Sequence, residues 1–176
     1  MNKESSAIIQ SIIPASADQI SGYIRDTITR LSSHVSLDLQ IERKLKLILT
    51  ELVTNSIKHS SDIGGLIHIT VHQPNIVIQK IDKGLQIEFK QQSLPFEEIN
   101  KIIKVSFSEE NNHQIQVLDQ YKFRFLDPYK EGISIDYLPE HFGLYIITLA
   151  SDSFIYQYDP DLEENRFIVN INVSLP

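Results

Sequence analysis

The chain has 176 residues, 41% of them apolar and 22% charged, with no cysteine and a net charge of −7. That balance fits one globular domain with a substantial core; it excludes disulfides, thiol catalysis and cysteine-based zinc sites, and gives no general electrostatic drive toward nucleic acid or an anionic membrane. The amino-terminal MNKESSAIIQSII lacks the apolar core and cleavage site of a signal peptide, and no apolar run approaches the ~20 residues that span a bilayer, so the expected compartment is the cytoplasm.

In chain order, residues 7–13 form a β-branched run ended by Pro14, which reads as a first strand. Ser16 or Asp18 can cap a helix whose Ile20, Ile24, Ile28 and Leu31 recur about one turn apart. A link, HVSLDLQ, offers Ser36 or Asp38 as the cap of a second helix over residues 39–59, which contains neither Gly nor Pro. At about 100° per residue, Ile41, Leu45, Ile48, Leu49, Leu52 and Val53 make its apolar stripe, and Glu51, Asn55 and Lys58 line up along the stripe's edge. A carboxylate, an amide and an ammonium thus line up beside a core; the same three residues are equally a solvated cluster at (i, i+3/i+4) spacing.

After a loop containing Gly64 and Gly65 the period changes. IHITVH, IVIQKI and LQIEF are three expected strands, separated by Pro74-Asn75 and by Asp82-Lys83-Gly84, and connections this short imply antiparallel neighbours. His68 and His72 share one face of the first of these strands but stand about 13 Å apart, too far to ligate one metal. PFEEINKIIK reads as a short amphipathic helix. The long stretch 105–138 contains YKFRFL, whose alternation reads as a strand with Tyr121, Phe123 and Phe125 on one face, while Lys122, Arg124 and Lys130 are also phosphate-seeking cations. YIITLASD is a helix, and FIYQYD and FIVNINV are a final strand pair around residues 160–165.

The string ELVTNSIKH, residues 51–59, resembles the N-box of the GHKL ATPase superfamily, and most closely its serine-kinase branch, which includes bacterial anti-sigma factors. The resemblance implies that Asn55 coordinates magnesium on the triphosphate of ATP, that Glu51 positions or activates the attacking hydroxyl or water, and that Lys58 and His59 flank the phosphates. IIPASADQISGYIRDTITRL is similar to the family's lead-in to that helix. The family's Asp-x-Gly-x-Pro-Phe, aligned on Pro95-Phe96, puts Gln91 where the adenine-binding Asp belongs and Ser93 where the Gly belongs; Gln91 can still accept a bond through its amide oxygen. Asp82-Lys83-Gly84 also spells Asp-x-Gly, but between two strand-like runs it reads as a hairpin turn. Of the family's Gly-x-Gly-Leu, Gly143-Leu144 match the last two positions and His141 occupies the first; as a phosphate donor or a solvent-facing residue, His141 has two readings.

The expected fold is therefore an α/β two-layer sandwich, a mixed but mostly antiparallel sheet with helices on one face, forming one domain over residues 1–176 with an atypical lid or insert at about 105–138. The resemblance implies an ATP-binding regulatory domain using Mg2+, with phosphoryl transfer to a protein that is weak or lost. Its implied partners are a sigma factor, an anti-anti-sigma-like regulator or a second copy of the chain, without nucleic acid or membrane. The alternative is a degenerate, non-catalytic module of the same fold that acts by protein contact through residues 121–129.

Overall fold

The computed structural model describes residues 7–59, 64–107, 112–127 and 142–173. The chain runs β1 (Ala7–Ile12), a 3-10 turn (Ala17–Gln19), α1 (Ile20–Ser32), α2 (Leu39–His59), β2 (Leu66–His72), β3 (Asn75–Lys83), β4 (Ile102–Ser106), β5 (Asn112–Asp119), β6 (Lys122–Leu126), α3 (Gly143–Ala150), β7 (Ser153–Asp159) and β8 (Glu164–Asn172). Among the described residues these strands form one eight-stranded sheet in the order β1-β2-β3-β8-β7-β6-β5-β4, with every pairing antiparallel. The sheet is thus not mixed.

The alternation of buried and half-exposed residues fixes which face is inner. Ile67, Ile69 and Val71 of β2 are buried, as are Ile76, Ile78 and Lys80 of β3, Ile115 and Val117 of β5, Phe123 and Phe125 of β6, and Phe154 and Tyr156 of β7. The strand registers put them all on one side. Over that face lie the helices. α1 docks through Tyr23, whose hydroxyl lies 2.7 Å from Ser11 Oγ of β1. α3 docks through Tyr145, which stacks on the buried His113 of β5 with ring centroids 4.0 Å apart. α2 packs between them, contacting both. Its stripe Ile41, Leu45, Ile48, Leu49, Leu52 and Val53 is entirely buried, and Asp38 caps it by accepting the Ile41 N–H at 2.7 Å. Burial pushes the His113 imidazole down to about 4, so it stays neutral at physiological pH.

Two expected elements did not form. Residues 85–89 (LQIEF) are not a strand, and residues 96–101 are not a helix. The segment 85–101 instead crosses the half of the sheet that the helices leave uncovered. It is tied down by backbone bonds from Lys90 N to Ser106 O, Phe96 N to Gln120 O and Asn100 N to Val117 O. Phe89 and Phe96 pack over Phe123, with centroids 5.6 and 5.9 Å away, and Phe89 meets Phe107 at 5.1 Å. Of the alternating residues of LQIEF, Ile87 and Phe89 turn toward the core while Leu85 is exposed, so the alternation does not report strand pairing. The residues read as a helix continue into β4, because Ile103 and Val105 find antiparallel partners in Ile115 and His113.

YKFRFL does form a strand, β6, within a three-stranded extension that occupies most of the stretch without a counterpart in the resemblance. Phe123 and Phe125 are buried in it and Tyr121 is half-buried against Tyr158. This excludes Phe123 and Phe125 from any exposed contact surface; Tyr129 and Lys130 lie outside the described residues. Phe123→Ala should cost about 3–5 kcal/mol in chemical unfolding, and Tyr121→Ser far less; equal effects would refute this division between core and rim.

Candidate functional site

The capped α2 carries its polar strip along the edge of the core. Glu51 and Asn55 are half-buried one turn apart, and Lys58 and His59 are exposed at the helix's carboxyl end. Close to ninety residues later in the chain, α3 begins at Gly143 against the first two. A Cβ on Gly143 would collide with Glu51 Oε2 and stand 3.4 Å from both Glu51 Cδ and Asn55 Nδ2. The nearest of these atoms is the far end of a flexible side chain, so a Cβ there would push the Glu51 carboxylate aside. Leu144, the next residue, is partly buried against the core.

The electrostatics of this corner follow from its packing. α3 has Phe142 at its N-cap, which provides no side-chain cap, and has no acidic residue in its first turn. Glu51 brings a carboxylate to this end of the helix, where unsatisfied N–H groups favour negative charge. Burial raises the Glu51 pKa above the ordinary carboxylate range, and the Lys58 ammonium partly offsets this. A carboxylate, a neutral amide and a helix start that its N-cap Phe142 does not cap, within one contact distance, are groups suited to an oxyanion and its counter-cation.

The residues expected at the far end of the site are placed differently. Gln91 and Ser93 are exposed and sit on the segment tied to β4–β6. His141 lies outside the described residues. Asp82-Lys83-Gly84 is not a hairpin turn: β3 runs through Lys83 and pairs with β8, and the next strand, β4, begins only at Ile102 and does not pair with β3. Gly84 adopts a φ of 140°, open to glycine but strained for other residues.

Sequence reasoning missed what this end of β3 holds. Lys80 and Asp82 form an ion pair on the inner face, with side chains only 5% and 9% exposed, and Lys80 Nζ lies 4.5 Å from the centre of the Phe167 ring. Burial lowers the Lys80 pKa, while Asp82 opposes that shift. Opposite Asp82 across the ladder, buried Asn165 accepts the Tyr156 hydroxyl at 2.6 Å and donates to Leu85 O at 3.1 Å; the Tyr156 oxygen accepts the Ile87 N–H at 2.9 Å. The signal was available in IVIQKID, whose period of two puts Ile76, Ile78, Lys80 and Asp82 on one face. This end of β3 adjoins α2: a Cβ on Gly65 would lie 2.9 Å from Ser56 Oγ and 3.6 Å from Ile81 O.

Two measurements check this geometry. Gly143→Ala should lose about 1–3 kcal/mol of stability through overpacking, and Glu51→Ala in the same chain should recover most of that loss; strictly additive losses would show that the two residues do not touch. In a carbon-detected NMR titration the Glu51 carboxyl should titrate above the ordinary glutamate range, and Lys58→Met should move it further up; a downward shift would contradict the stated balance of burial and charge.

Compared with known proteins, the chain matches no family model and no curated relative.

Proposed function

We propose that the chain is an ATP-binding regulatory domain of the histidine-kinase-like ATPase type, similar to the anti-sigma serine kinases. The observation that carries this reading is convergence: Glu51 and Asn55, expected from one motif, and Gly143, expected from another, meet at one point. The residues present fit the phosphate end of a magnesium nucleotide. At Gly143 the backbone comes close to Glu51 and Asn55, Asn55 has a neutral oxygen of the kind hard magnesium accepts, and the Phe142 side chain does not cap α3. Magnesium bound there would neutralise charge on the phosphates.

The roles of the side chains follow from their surroundings. Glu51, with a pKa raised toward working pH, would take the proton of an attacking hydroxyl or water. Asn55 would hold the metal-bound phosphates in register, because phosphoryl transfer depends on positioning and charge neutralisation. At the base end, Asp82 and Gly84 are better candidates than Gln91 and Ser93: they form an Asp-x-Gly at the end of β3, next to the α2 end of the core.

One observation favours the second reading, a non-catalytic module of the same fold. Lys80 already pairs with Asp82, so adenine would have to compete with an internal ammonium for that carboxylate. Calorimetric titration of Mg-ATP into the purified chain distinguishes the two. The leading reading expects binding by the wild type and a loss of about tenfold or more, about 1.4 kcal/mol, in Asn55→Ala. Equal affinities would remove Asn55 from the site, and no heat at millimolar nucleotide would establish the second reading instead.

A further inference from the structure

On the inner face of β3 the period of two runs through Ile76, Ile78, Lys80 and Asp82. The first two are fully buried apolar side chains, and the last two form an ion pair with side chains 5% and 9% exposed. In every other ion pair among the described residues at least one side chain is 35% or more exposed. Taking two charges out of water is costly, and two apolar residues of similar volume would serve the core about as well. Packing alone therefore does not account for Lys80.

The surroundings of the pair are specific. Across the β3–β8 ladder Lys80 faces Phe167 and Asp82 faces Asn165. The Lys80 ammonium has two partners, the Asp82 carboxylate and the Phe167 ring, whose centre is 4.5 Å from Nζ. Asn165 is engaged elsewhere, by the Tyr156 hydroxyl and by the carbonyl oxygens of Gly84 and Leu85. Among the described residues, no cation other than Lys80 pairs with Asp82. Through Gly65 this end of β3 adjoins Ser56, the residue after Asn55 on α2.

We infer that Lys80 sets the affinity of the chain for a nucleotide base: it is an internal cation that holds Asp82 in the unliganded chain and that a base must displace. The inference rests on the nucleotide reading above, in which Asp82 and Gly84 form the base end. The amino group of adenine brings Asp82 a neutral donor, whereas the ammonium brings an opposite charge, whose attraction is strong where water is excluded. Exchanging one for the other leaves a buried ammonium without its counter-ion. The face of Phe167 offsets part of that cost, because the ammonium already lies over it.

The consequence concerns which ligands the site separates. Binding at the phosphate end, around Glu51, Asn55 and Gly143, does not require the exchange at Asp82. The gain from docking a base is spent on opening the Lys80–Asp82 pair. The ligand class of the wild-type chain is thus a magnesium triphosphate with little regard to its base, and removing the ammonium converts the site to one that prefers adenine.

Calorimetric titration of the full chain with Mg-ATP, Mg-GTP and Mg-tripolyphosphate tests this. In wild type the three should bind within about threefold of one another, and Asn55→Ala should weaken all of them. Lys80→Met should tighten Mg-ATP about tenfold or more and leave Mg-tripolyphosphate unchanged. Adding Asp82→Leu, which removes both charges together, should abolish that gain in a chain with wild-type circular dichroism. A folded Lys80→Met that binds Mg-ATP no more tightly than wild type would overturn the inference, and Asn55-dependent binding of Mg-tripolyphosphate would still leave the nucleotide reading standing. Should Lys80→Met fail to fold, the wild type decides: either nucleotide binding tenfold tighter than Mg-tripolyphosphate shows Asp82 open to a base and overturns the inference, whereas equal affinities support it. No binding of any of the three probes to either chain would remove the nucleotide reading and the inference with it.

Discussion

Everything in this structure answers to one requirement, that a single eight-stranded sheet bury one face along its whole width. Three helices span only part of that width: α1 lies over the β1 edge, α2 over the middle, and α3 reaches His113 on β5 through Tyr145. The remaining apolar surface on β5 and β6 would stand in water without the segment 85–101, which brings Phe89, Leu94 and Phe96 down onto it. This segment has no ladder of its own, so its backbone groups are satisfied one by one from Ser106, Gln120 and Val117. A layer that is part helix and part aromatic loop is how, among the described residues, three helices cover eight strands.

The same requirement shapes the candidate site. Where α2 meets α3, and at the end of β3, the inner face carries polar groups, and each has a fixed partner or a close neighbour. Lys80 and Asp82 neutralise one another, Tyr156 and Asn165 link β7 and β8 to the start of the crossing segment, and Glu51 faces the start of α3. Buried groups of this kind cost stability unless they are paired, which is why each is held by a partner on an otherwise apolar face. Their pairing rigidifies this part of the inner face. The Lys80–Asp82 pair in particular places a cation where a carboxylate would otherwise be open to a ligand's donor.

The two edges of the sheet also differ. β4 is shielded by a lysine and by the crossing segment, whereas β1 keeps an uncharged edge on the side of the helix layer away from α3.

Much of the architecture was legible from local pattern. The bounds of α2, its buried stripe, the Asp38 cap, β1 to β3, β6 and the final strand pair all follow from periodicity and capping, because those signals depend on near neighbours in the chain. The association of Glu51 with Asn55 was legible for the same reason, since one turn of helix fixes it. What only the tertiary structure decided depends on distant partners. LQIEF alternates like a strand yet has no strand to pair with, and the residues after Phe96 carry helical spacing yet are drawn into β4 by β5. Asp82 resembles a turn residue until β8 claims the other side of β3, and Gly143 meets Glu51 only because α3 packs across α2. Period and propensity describe how a segment can bury itself; which surface it buries against is set by long-range contacts that no local pattern encodes.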